Sequence, residues 1–325
     1  MKTPLLPLAA CLSLSCAAPV YAADILALDK EGGRLHVIDR DAFKLRHSVP
    51  VGEGAHEVIA SADGRRAWVA LYGDQHQVGH TLVEVDLGAG RVERRIDTAP
   101  LLRPHGLARA GENIYFTAEL NRAVARLNPA EGRIDRVYGI GREASHMIEI
   151  SADGQQLFTA DMLSDSVSRL DFRTKAPLPE LSHYPVGAKP EGLAVHPDGR
   201  QAWVGLNGEG KLQVLDLELG QVVASLPAGS YPARVEFSRD GRLAFAIDPK
   251  ESRLLVFDVA ARKPLHAHRI EGVPLGILPA ADPSRVYLTL AQAGEVVEVE
   301  VASGRVLRRL DVGQVADGIA LAETG

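Results

Sequence analysis

The sequence predicts an all-β fold, a seven-bladed β-propeller built from four-stranded antiparallel blades. Three observations carry that expectation. The stretch from Val186 to Gly229 holds four short apolar runs, GLAV, AWVGL, LQVLDL and VVASL, separated by His-Pro-Asp-Gly, Asn-Gly-Glu-Gly and Glu-Leu-Gly. Runs of Val and Leu cut by Gly, Pro, Asn and Asp read as strands joined by tight hairpins. One such sheet cannot cover its own two faces and needs neighbours. The second observation is that the neighbours are copies. The start of the first strand recurs at Ala55-His56-Glu57, Pro104-His105-Gly106, Ser145-His146-Met147, Pro190-Glu191-Gly192, Pro232-Ala233-Arg234, Pro274-Leu275-Gly276 and Ala316-Asp317-Gly318. The middle residues are spaced by 49, 41, 45, 42, 42 and 42 positions, a period that marks a propeller. Third, the chain ends on a lone entry strand, Ala316 to Leu321, and begins with the rest of a unit: ILALD from Ile25, LHVIDR from Leu35 and LRHSVPV from Leu45. Pairing the two ends closes the ring and leaves no open sheet edge.

In chain order, residues 1–23 carry one Lys, an apolar centre and a Val20-Tyr21-Ala22 cleavage signal, the pattern of a secretory leader. Leu8-Ala9-Ala10-Cys11 resembles a lipoprotein processing box, with little apolar core ahead of Cys11. The propeller then occupies residues 24–325, and the expected compartment is a bacterial periplasm. Both cysteines, Cys11 and Cys16, fall in the leader, so the mature chain offers no disulfide, catalytic thiolate, Cys-ligated metal or covalent c-type haem. The formal charge of −6 becomes −7 once a leader with one Lys and no acid is removed. A mildly acidic chain has no general drive toward nucleic acid. Aromatic residues are 5% of the chain, so the blades must pack on Val, Leu, Ala and Ile, while 31 Gly and 19 Pro suit a turn-dense fold. No membrane span is expected within the propeller.

The x-D-G turns at Asp63, Asp153, Asp198 and Asp240, and the second strands Ala67-Trp68-Val69-Ala70-Leu71, Ala202-Trp203-Val204-Gly205-Leu206 and Val286-Tyr287-Leu288-Thr289-Leu290, resemble those of the YVTN-type seven-bladed propellers. The resemblance covers nearly all of the mature chain. It implies the fold. Relatives of that propeller include lactonases and the haem d1 domain of nitrite reductases, and none of their activities follows from the strand pattern.

Residues shared by all blades serve packing, so function is expected where blades differ. The entry strand is innermost, and its second residues line the mouth of the central channel: His56, His105, His146, Glu191, Ala233, Leu275 and Asp317. The next column reads Glu57, Gly106, Met147, Gly192, Arg234, Gly276 and Gly318, and its glycines would allow something to approach the backbone closely. The hairpin between the second and third strands lies on the same side. In the first complete unit it is lengthened by Tyr72 to His80, adding His76 and His80; its counterparts offer Glu119, Asp161, Asn207 and Asp248. Trp68 and Trp203 are expected between blades, and His36, His183, His196, His266 and His268 away from the mouth.

Three readings of the mouth follow. His56, His105 and His146 could ligate a divalent transition metal, since neutral imidazoles bind Zn, Cu, Ni or Fe. Glu57, Glu191 and Arg234 could join them in holding a small ligand or metal complex, with Arg234 clamping an anion or pairing with Glu191 or Glu236. A hydrated polar funnel is the third. No G-x-S-x-G, H-E-x-x-H or C-x-x-C-H occurs. The expected function is therefore a periplasmic binding propeller without turnover, serving a ligand, a metal or a periplasmic protein partner. A lactonase-like hydrolase or isomerase, with His56 or His105 as base oriented by Glu57 or Glu191, is the alternative. A haem d1-type macrocycle with one His as axial ligand comes third.

Overall fold

The structure, a computed structural model, describes residues 23–74 and 76–323. The expected leader lies almost wholly outside the described residues. Seven four-stranded antiparallel sheets form the ring. We number the blades by their innermost strands: blade 1, Ala55–Ala60; blade 2, Pro104–Ala110; blade 3, Ser145–Ile150; blade 4, Pro190–Val195; blade 5, Arg234–Phe237; blade 6, Pro274–Pro279; blade 7, Ala316–Ala322. Blade 7 is composite. Its inner strand pairs with Asp24–Asp29 through Asp24↔Ala322 and Leu26↔Ala320, followed by Arg34–Asp39 and Lys44–Pro50. The ring closes as the chain ends suggest. No helix among the described residues is long and apolar enough to cross a membrane.

Burial explains the strand order. Second strands lie between two neighbours and two blade faces, so their residues are apolar almost throughout: Ala67 to Ala70 and Ala202 to Leu206 are all buried. Outermost strands have one covered face and alternate, as Gln221–Pro227 does. The cores lie between blades. Trp203 packs edge-on to Phe237 and Phe257 of blade 5. Trp68 joins Ile114 and Phe116 of blade 2. At three of the four x-D-G turns the Asp accepts from a Ser hydroxyl two residues earlier, as Ser61 to Asp63 at 2.6 Å and Ser238 to Asp240 at 2.7 Å, and at Asp198 His196 takes that place. The Gly that follows takes a left-handed φ, 65° at Gly64 and 70° at Gly241, which a side chain would strain.

Candidate functional site

The entry strands bulge near their starts: the register shifts between Ala55 and Glu57, Pro104 and Leu107, Ser145 and Ile148, Pro190 and Leu193, and Pro274 and Gly276. A bulge re-aims side chains that strict alternation would send to opposite faces. His56 and Glu57 consequently both reach the channel.

The three imidazoles expected at the mouth do meet there. The ring centroids of His56 and His105 are 4.5 Å apart and those of His105 and His146 3.7 Å. Each outer imidazole is held by a carboxylate. His56 Nδ1 lies 2.6 Å from Asp317 Oδ2, which also takes an ion pair from Lys30 at 3.0 Å. His146 Nδ1 lies 2.8 Å from Glu119 Oε2. An ionised carboxylate only accepts, so Nδ1 carries the hydrogen in both, and in the neutral imidazole Nε2 is the atom with the lone pair. Burial alone would raise the Asp317 pKa, but the His56 contact with the charges of Lys30 and Arg234 holds it well below the usual range. Glu119 is pushed up by burial too, and His146, Tyr72 and Arg103 together bring it below its ordinary value.

His105, between them, is fully buried, and neither ring nitrogen has a hydrogen-bond partner. Burial, then the neighbouring His146, His56, Arg234 and Lys30, depress its pKa far below 6.5, so it is neutral at pH 7. Donor atoms of His56, Glu57 and His105 lie within 4.8 Å of one another, as do those of His105, Glu119 and His146. These two groups could each hold a metal ion, and they share one imidazole.

Several contributors were not singled out from the sequence. Lys30 follows strand Asp24–Asp29 and reaches the mouth from the closing blade. Tyr72, at the stem of the lengthened hairpin, donates to Glu119 Oε1 at 2.9 Å and accepts from Arg103 at 3.1 Å; burial beside Glu119 pushes its pKa up to about 12. Arg103 also lies over the Tyr72 ring, 4.8 Å from its centroid. The signal for Tyr72 is the insertion itself, in which His76 and His80 are the more conspicuous residues. Both of those are away from the imidazole cluster: His80 pairs with Asp97 at 3.0 Å on the surface, and His76 is exposed.

The second column fills the channel below. Arg234 donates to Glu57 Oε1 across the ring and lies 2.9 Å from Met147 Sδ, so Glu57 is its partner rather than Glu191 or Glu236. Glycines in this column do not admit a ligand. A Cβ on Gly106 would come 2.9 Å from His146 O, one on Gly276 2.6 Å from Asp317 O, and one on Gly318 would strike His56 O. The group that approaches them is the next blade's entry strand. Seven side chains cannot fit at this level, and three from blades 1, 3 and 5 fill it.

Glu191 stands apart from the imidazoles, accepting from Asn207 and, at 3.0 Å, from Tyr231. Asp161 is buried among Ser145, Thr159, Ser166 and Ser168, and Asp248 accepts from the Ser230 and Tyr231 amides; both serve their turns. Lower in the channel, Glu149 and Glu236 share a cavity of about 450 Å3 with Glu57 and Met147, which reaches the far end at Ala60, Ile150 and Glu323. Burial raises the pKa of both acids, strongly for Glu149. His183, His196 and His268 bond Ser168, Gly241 O and Val301 O, respectively, away from the mouth.

Fold and site together define a seven-bladed propeller with a histidine-rich mouth. No protein-family model matches the chain, and no curated protein does. Solved structures match its fold. A candidate 6-phosphogluconolactonase from Bacteroides fragilis superposes with a TM-score of 0.76 at 13% identity, over 94% of this chain and 99% of that one. A protein of unknown function from Desulfotomaculum acetoxidans gives 0.75 at 14%, over 93% and 99%. Hydrazine synthase of Kuenenia stuttgartiensis gives 0.68 at 15%, over 83% and 93%. At such identities the likeness is one of fold.

Proposed function

We propose that this protein is a periplasmic, non-catalytic propeller that holds a transition-metal ion at its mouth through His56, His105 and His146. The observation that carries the reading is His105: a fully buried, neutral imidazole with no protein partner for either nitrogen. Leaving such a group unpaired costs roughly 1–3 kcal/mol, a cost that a ligand would remove. Its two neighbours carry the outer-shell pattern of metal-binding histidines, with a carboxylate on Nδ1 and Nε2 left as donor. Two imidazoles with Glu57 or Glu119, the donors that lie within 4.8 Å of one another, and the third imidazole beside them suit Zn, Cu, Ni or Fe rather than Mg or Ca.

The test is metal stoichiometry, by elemental analysis of protein from its own host and by titration of the apo-protein with Zn(II) and Co(II). The wild type should take one ion and H56A/H105A/H146A none, with both melting cooperatively. Equal uptake by the two would remove the proposal. A second reading draws on the His56–Asp317 pair, which has the form of a general base with its orienting acid; turnover of a lactone lost in H56A but indifferent to chelators would favour it instead.

A further inference from the structure

The mouth is balanced in charge before any ion arrives. Asp317 is paired with Lys30 at 3.0 Å, Glu119 faces Arg103 at 3.7 Å, and Glu57 is paired with Arg234. The three carboxylates are thus matched by three cations, so Glu57 and Glu119, which lie within reach of an ion, would meet it already paired. A divalent ion here would bring two positive charges into a largely buried site whose carboxylates are already paired with cations, which is costly. Nor are the cations remote from the rings: Lys30 Nζ is 3.0 Å from His56 Nδ1, and Arg103 reaches the His146 partner Glu119 through Tyr72.

Beside this centre is an open cavity of about 560 Å3, lined by Lys30, Tyr72, Arg103 and the backbone at Gly54 and Gly73. Its size is that of a small-molecule site. Lys30 and Arg103 are about a third exposed and face it, and the exposed acids Glu31, Glu53 and Asp74 rim it. A polyanion such as phosphate would meet that acidic rim, whereas a molecule carrying one carboxylate can place it inward between the two cations.

Building on the metal reading, we infer that the centre takes its metal together with a small organic carboxylate seated between Lys30 and Arg103, which supplies the missing negative charge. The ion and the acid are then bound as a unit, and each raises the affinity for the other.

Co(II) reports this directly, because its visible spectrum follows the ligand shell. Apo-protein loaded with one equivalent of Co(II) is titrated with acetate and, separately, with inorganic phosphate. Acetate should change the spectrum saturably, and K30Q/R103Q should weaken that response by about tenfold or more. Uptake of Co(II) with a spectrum indifferent to acetate up to about 100 mM would overturn the inference and leave the metal site standing. A response to phosphate but not acetate would overturn the carboxylate assignment, and an unchanged acetate affinity in K30Q/R103Q would overturn its seat. Failure of the wild type to bind Co(II) at all would remove the metal reading and this inference with it.

Discussion

At the residue scale, His105 and His36 share a predicament. Both are buried without partners for their ring nitrogens, and burial lowers the pKa of each. In the unfolded chain an imidazole takes its proton near pH 6.5. As the pH falls below that value the unfolded state binds protons that the native state refuses, so stability drops with falling pH, by up to about 1.4 kcal/mol per pH unit for each group. Glu149 and Glu236 act in the opposite sense. Burial raises their pKa, so above about pH 4.3 the unfolded chain releases protons that the native acids retain, and stability is lost as the pH rises toward their native values. Urea titrations of the apo-protein from pH 4 to 9 should therefore show E149Q/E236Q more stable than wild type at pH 8, on the order of 1–3 kcal/mol, with the gap closing toward pH 4. A gap independent of pH would show that these acids are ionised in the native state. Metal at the mouth should steepen the acid limb, since protons and metal compete for the same imidazoles.

At the element scale, the entry strands carry the design. Blades 2, 4, 6 and 7 have Gly in the second column because the adjacent strand runs against it, as Gly318 does against His56 O. Gly318→Ala should cost roughly 1–3 kcal/mol by overpacking, and disturb His56 with it. Gly139→Ala, where an added Cβ meets nothing within 4 Å, should be close to neutral. Equal melting shifts for the two would refute the packing account. The same strands show how far the sequence could be read. Hairpin spacing is a local property, so the blades, their turns and the closing strand were legible, as was the convergence of His56, His105 and His146. A repeat fixes a residue's blade and height; it does not fix how far a side chain reaches or what it meets across the ring. Arg234 consequently finds Glu57 three blades away across the ring, not its neighbour Glu191. Asp161 and Asp248 belong to the same hairpins but stand one residue earlier than Glu119, at the position of Ala118, and hydroxyls and amides of their own blades claim them. Lys30 and Tyr72 sit outside the two columns and gave no periodic signal at all. The second-column glycines are legible as points of close approach, but what approaches is the next entry strand rather than a ligand, and a backbone carbonyl has no side-chain letter to announce it.

At the scale of the whole molecule, the mouth depends on closure. Asp317 comes from the last strand and Lys30 from the turn after the first, and together they secure His56. Deleting residues 316–325 exposes the edge of Asp24–Asp29 and removes the carboxylate from His56. The truncated chain should lose cooperative unfolding in urea or, if it stays folded, its first-equivalent metal. Full retention of both would mean that the ring is not the unit of stability. The side chains of Glu57, Met147 and Arg234, packed across the middle of the channel, have a further effect on traffic. They bar the channel below the imidazoles, so an ion bound there would come and go from the mouth side. Release of such an ion would then fall to a competitor or an acceptor on that same side.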